Sequence, residues 1–149
     1  MGYKLVNINN RSALLKDNNY YDIETISNGD ISSNSIKSIS SIEKLSSLYQ
    51  KLDTFIPTGS INDISLDAPI KGSKNCFAVG LNYKNHAEES GMEIPPFPMI
   101  FTKHTTCIVG PNSNIELKSD IVDYEAELVA VIGKSGKNIT KDNAWEHVA

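Results

Sequence analysis

The chain has 149 residues, of which 40% are hydrophobic and 21% charged, and a formal net charge of -4. That balance belongs to a globular protein with room for a core, and it offers no basic face to nucleic acid, because Lys and Arg are scattered and outnumbered by Asp and Glu. No apolar run nears the ~20 residues of a bilayer-crossing helix, and the N-terminus lacks the apolar segment of a secretory signal, so the cytoplasm is the expected compartment.

Residues 1 to about 70 read as a small α+β unit. Tyr3 to Ile8 alternates as a strand, Asp17-Asn18-Asn19 is a turn, and Tyr20 to Ile23 is a partner strand, which suggests a small antiparallel sheet. The Ser- and Asn-rich run from Ser27 to Ser41 is anchored by Ile31, Ile36 and Ile39, and its composition fits either a loop or a strand with a turn. A helix is expected from Ser40, where Ser40 and Glu43 have capping-box spacing and Ile42, Leu45, Leu48, Tyr49 and Leu52 make one apolar face. No His, Cys or acid cluster accompanies this unit, so no chemistry is assigned to it.

The second unit, 71–149, opens with a turn at Gly72 to Asn75 and a short buried strand, Cys76 to Gly80. Asn82 is positioned to cap a short helix that Gly91 ends. On that helix His86 and Glu89 stand three apart, where a carboxylate can orient an imidazole for proton transfer, although a lone pair at this spacing is more often incidental. Glu93 to Pro98 must be a stiff loop, because proline removes a donor and restricts its predecessor. Met99 to His104 resumes as a strand with Phe101 and Lys103 on one face, Gly110-Pro111-Asn112 is a turn, and Ile115 to Leu117 is another short strand. Cys76 and Cys107 lie too far apart for a metal knuckle and read as reduced core residues.

Val122 to Gly133 is an apolar run with two acids set into it. Read as a strand, it puts Glu125, Glu127, Val129 and Val131 on one face. Two like charges beside apolar neighbours call for a cation between them, and Mg²⁺ or Mn²⁺ takes such carboxylates. Taken alone, the pair fits a solvent-facing strand better. Beyond it, Thr140 is placed to cap a helix over Lys141 to Ala149, with Ala144, Trp145 and Val148 on its buried side. Short strands, few helices and no βαβ alternation make the whole an α+β, β-dominated protein.

The order of these elements resembles the fumarylacetoacetate hydrolase family, in particular its acylpyruvate hydrolase and hydroxyheptadienedioate isomerase-like branch. The residues that carry the likeness are Gly80, Asn82, Tyr83, His86 and Glu89, then Phe101 and Lys103, Gly110 and Pro111, and Asp123 through Lys134. The resemblance implies a mixed β-sandwich or roll, incomplete at its C-terminus, and a metal-dependent hydrolase, decarboxylase or isomerase of 2-oxo or 1,3-dicarbonyl acids. It implies Glu125 and Glu127 as ligands of Mg²⁺ or Mn²⁺, His86 oriented by Glu89 as the catalytic base, Lys103 and Tyr83 on the substrate, and a homodimer. The family's third metal ligand, an aspartate, falls past the equivalent of the Trp145 helix. The chain is therefore expected to be a fragment or a natural truncation with little activity alone. The alternative is a non-catalytic remnant that serves as a binding or structural module.

Overall fold

A computed structural model describes residues 2–149, which form an α+β, β-dominated fold. They fall into two compact units, Met1–Lys71 with Val109–Ala149, and Gly72–Ile108.

The first unit is built on a four-stranded antiparallel sheet of β1 (Leu5–Ile8), β2 (Arg11–Lys16), β3 (Asn19–Asp22) and β4 (Gly59–Ser60), in that spatial order. Asn9 and Asn10 both have positive φ, 51° and 62°, as a two-residue type I′ hairpin requires and as Asn tolerates. The central strand β2 is absent from the sequence reading, which sets Tyr3–Ile8 and Tyr20–Ile23 side by side. Its run Arg-Ser-Ala-Leu-Leu-Lys alternates only weakly, because both of its faces are covered.

Register explains that covering. Leu5, Leu14 and Tyr21 are cross-strand partners on one face, and there they meet Ile23, Ile26, Ile31, Leu45 and Leu52. Val6, Ala13, Leu15 and Tyr20 lie on the other, with Ile61, Ile64 and Leu66. The helices α1 (Ile23–Ile26), α2 (Ser35–Ser38) and α3 (Ile42–Tyr49) follow the sheet strands β1 to β3. The Ser-rich run is thus a loop with a short helix. Ile31 and Ile39 are buried in it as expected, but Ile36 is exposed. Its hydroxyls have work inside the fold, since Ser38 bonds Ser12 at 3.3 Å and both are fully buried. The α3 apolar face is as expected, but its start is not: Ser41 is the N-cap, no side chain caps it, and the Ser40–Glu43 box does not form.

Asp22 ties the sheet to α1. It receives two bonds from Arg11, at 2.7 and 2.9 Å, and caps α1 by accepting from the Thr25 amide at 2.9 Å. Burial opposes its ionisation, but the Arg11 and Thr25 bonds outweigh it and hold the carboxyl below its ordinary range.

Residues 109–149 complete the first unit with little regular structure. The Gly110 turn is present, closed by Ser113 N–H donating to the Gly110 carbonyl at 3.1 Å. The strands expected at Ile115–Leu117 and Val122–Gly133 do not form. Between them the described residues make no ladder, and only Ile132 bridges antiparallel to Val148. A strand needs a neighbouring strand for its backbone groups, and among the described residues this run has a β-bridge at Ile132 and Val148 alone. Its apolar side chains are correspondingly exposed. The expected C-terminal helix shrinks to a 3₁₀ turn, Ala144–His147, with Trp145 78% exposed rather than buried. Instead of Thr140 capping a helix, Asn143 Oδ1 accepts from the Thr140 amide at 2.8 Å. Gly133 has a separate reason to be glycine: a Cβ there would lie 2.6 Å from the Ile39 carbonyl oxygen.

The second unit is an antiparallel pair, β5 (Cys76–Gly80) and β6 (Met99–Lys103), joined through the helix α4 (Lys84–Glu89) and the proline loop. β5 is not the buried strand that its composition suggests, as Phe77 is 62% exposed and Val79 is exposed too. Cys76 is half-buried and Cys107 exposed, and both are free thiols, so neither is the core residue expected.

Three measurements test this packing. Leu14→Ala removes a fully buried side chain facing the main cluster and should cost about 2–5 kcal/mol, read as a lowered urea midpoint. Because the Asp22 carboxyl is depressed in the fold, the stability it contributes is present above the ordinary aspartate value of about 3.9 and lost as pH falls through its folded value. Acid titration of stability should show that loss, and Asp22→Asn should remove it. Brief chymotrypsin treatment should cut at Tyr124, which is 88% exposed in unpaired chain, long before Tyr21, which is 5% exposed in β3.

Candidate active-site residues

The helix α4 carries the imidazole of the proposed site. Tyr83, not Asn82, is its N-cap, because Leu81 takes φ 49° and turns the chain one residue later than the sequence pattern suggests. Its other end is as expected. Gly91 has φ 65°, its amide donates to Glu88 O at 3.2 Å, and the Met92 amide donates to Ala87 O at 3.0 Å, which is a Schellman closure. These bonds fix where the helix stops.

His86 and Glu89 are both exposed on this helix, and no hydrogen bond links their side chains. Lys84 instead reaches Glu88 at 3.4 Å, and the Ser90 hydroxyl donates to the His86 carbonyl at 2.8 Å. Tyr83 borders the helix and is exposed. Lys103 ends β6 and stands opposite Cys76, whereas Gly80, the start of the Asn82–His86 segment, stands opposite Met99. At ~3.4 Å per residue, four residues of strand separate Lys103 from Met99.

In the first unit Glu125 and Glu127 are exposed. Asp123 beside them is engaged with its own chain, accepting from the Tyr124 amide at 2.8 Å. Two carboxylates are the hard oxygen donors that Mg²⁺ takes. Among the described residues, however, no group of three or more His, Cys, Asp or Glu side chains is arranged to hold a metal ion. The donor chemistry fits such an ion, and the donor number is short. One feature escaped the sequence reading: Lys74 and His104 lie beside Lys103 in a polar cleft. The absence of any acid near them in sequence is the signal that could have found it.

Comparison with known proteins bears on the same region. The family described as fumarylacetoacetate (FAA) hydrolase, C-terminal, matches residues 75–149, half of the chain. The chain is 46% identical over 91 residues to a fumarylacetoacetate hydrolase domain-containing protein 2 homolog of Dictyostelium discoideum, covering 60% of this chain and 30% of that protein. It is 43% identical over 95 residues to the oxaloacetate tautomerase YisK of Bacillus subtilis, covering 60% of this chain and 32% of that one. A crystal structure described as a putative HpcE protein from Mycobacterium smegmatis superposes with a TM-score of 0.79 at 33% identity, over 97% of this chain and 51% of that one. The chain thus spans about a third of these two curated relatives and half of the solved structure. With its family region running from the start of β5 to Ala149 and its fold superposing on that structure, the chain belongs to the fumarylacetoacetate hydrolase family.

Proposed function

We propose that this chain carries the proton-transfer and metal-donor residues of an enzyme acting on 2-oxo or 1,3-dicarbonyl acids, with keto–enol isomerisation of a 2-oxo dicarboxylic acid as the favoured reaction. The support for this reading is the likeness to proteins named oxaloacetate tautomerase, within a family whose matched region contains His86, Glu125 and Glu127. Hydrolysis or decarboxylation would draw on the same chemistry and differ in which bond breaks around the enolate.

In this reading His86 takes the proton from the carbon next to the ketone and returns one to oxygen. An imidazole suits both steps because it ordinarily titrates near neutrality. Glu89, three residues further along α4, is the positioning residue for that ring. Lys103 and Tyr83 hold substrate oxygens. Glu125 and Glu127 would hold Mg²⁺ or Mn²⁺, which supplies Lewis acidity toward the developing enolate charge. A cytoplasmic location and a homodimer belong to the same proposal. No helix among the described residues is long and apolar enough to cross a membrane.

The second reading, a non-catalytic module with the same fold, is favoured by the donor pair that lacks a third member. Titration with Mn²⁺, monitored by the resonance of the free ion, separates the two. The enzyme reading expects weak binding that falls about tenfold or more in Glu125→Gln and Glu127→Gln, and equal binding by parent and variants defeats it. Keto–enol interconversion of oxaloacetate should be slow with these 149 residues, and any catalysed rate should fall about 10²–10⁴-fold in His86→Ala. An unchanged rate removes His86 from the mechanism.

A further inference from the structure

The second unit separates its charges. No acidic residue occurs between Asp67 and Glu88 or between Glu93 and Glu116, so the carboxylates of 72–108 are confined to α4 and the residues just after it. There Glu88 is matched by Lys84. The opposite end of the strand pair carries two lysines and a histidine and no carboxylate. Lys74 precedes β5 by two residues, Lys103 closes β6 opposite Cys76, and His104 comes directly after it.

These three side chains line one open cleft of about 220 Å³, with Asn75, Thr102 and Thr105 among its other walls. No carboxylate is part of that lining. Among the described residues, none of the three basic side chains has a hydrogen bond or ion pair. Cations gathered without a counter-charge repel one another, and an anion placed between them is attracted by each. Two ammonium groups, two hydroxyls and an amide also supply the several donors that a carboxylate or phosphate group accepts.

We propose that this cleft binds a small oxyanion, with Lys74 and His104 joining Lys103 as its holding groups. The ligand is either the second carboxylate of a dicarboxylic acid or free phosphate, which share that chemistry. For the dicarboxylate source the proposal rests on the reading above, in which Lys103 holds substrate oxygens, and it adds Lys74 and His104 to that role. It uses residues 72–108 alone and requires neither Glu125 nor Glu127.

The test is titration of the 149-residue chain, stripped of metal by passage over a chelating resin, with malonate and, separately, with phosphate, at constant ionic strength in chloride. The readout is the backbone amide shifts of residues 74–76 and 102–105. Saturable shifts confined to those amides are expected, and Lys74→Gln and Lys103→Gln should each weaken binding by about two- to fivefold, the range of an exposed charge contact. Lys84→Gln, on α4 and outside the cleft, should bind as the parent does. As a second measurement, the bound anion should slow acetylation of Lys74 and Lys103, but not of Lys84, read by mass spectrometry. Tighter binding of malonate identifies the dicarboxylate source, and tighter binding of phosphate the inorganic one. Shifts that do not saturate, or that weaken equally in all three variants, overturn the site. Because metal is absent throughout, failure here leaves the Mn²⁺ titration of Glu125 and Glu127 unaffected.

Discussion

Backbone N–H and C=O groups need partners, and in this chain strands exist where a neighbouring strand is present, with apolar cover in the first unit and largely without it in the β5–β6 pair. The first unit satisfies that demand around β2, whose register with β1 and β3 puts Leu14 between Leu5 and Tyr21 on one face and Ala13 beside Val6 on the other. Buried side chains gather on both sides of this strand. The Arg11–Asp22 pair and its cap on α1 then hold the chain where it leaves the sheet. The residues with chemistry lie outside this well-packed part, on α4, at the end of β6, and in the extended run that holds Glu125 and Glu127.

That distribution accounts for the state of the acidic run. Tyr124, Leu128 and Val129 are apolar or aromatic residues suited to a strand, yet each is largely exposed, and among the described residues of the run the β-bridge is the one from Ile132 to Val148. Glu125 and Glu127 are consequently set by a length of chain without a ladder. A carboxylate pair in that setting is open to water, where its mutual repulsion is screened. The family assignment rests on residue order from β5 onward and on superposition of the fold, and neither depends on the run being paired.

How legible all this was in the sequence varied with the kind of signal. Alternation and turn residues located β1, β3 and β6, because Asp17 and the proline loop punctuate them, and Gly91 marked the end of α4 through a left-handed conformation that glycine adopts freely. β2 gives little strand signal because polar Ser12 shares a face with Leu14 while apolar Ala13 and Leu15 lie on the other, and a strand covered on both faces loses the period of two. The Ser40–Glu43 spacing misled because the chain enters α3 through a 3₁₀ turn, Ile39–Ser41, which moves the helix start by one residue. At the candidate site the residue types and their order were readable. The arrangement of the donors was not, because local pattern specifies a strand's tendency and tertiary pairing decides whether it forms.

The double amide closure at Gly91 also bears on how such a site can change. Because α4 is terminated by its own backbone, through Gly91 to Glu88 and Met92 to Ala87, the helical phase of His86 is set before the chain reaches Pro95. Lengthening, shortening or recolouring the segment from Glu93 to Pro98 therefore leaves the imidazole's local frame intact. The helix and the loop that follows it can therefore vary independently, the loop in length and composition and the helix with its last turn already locked.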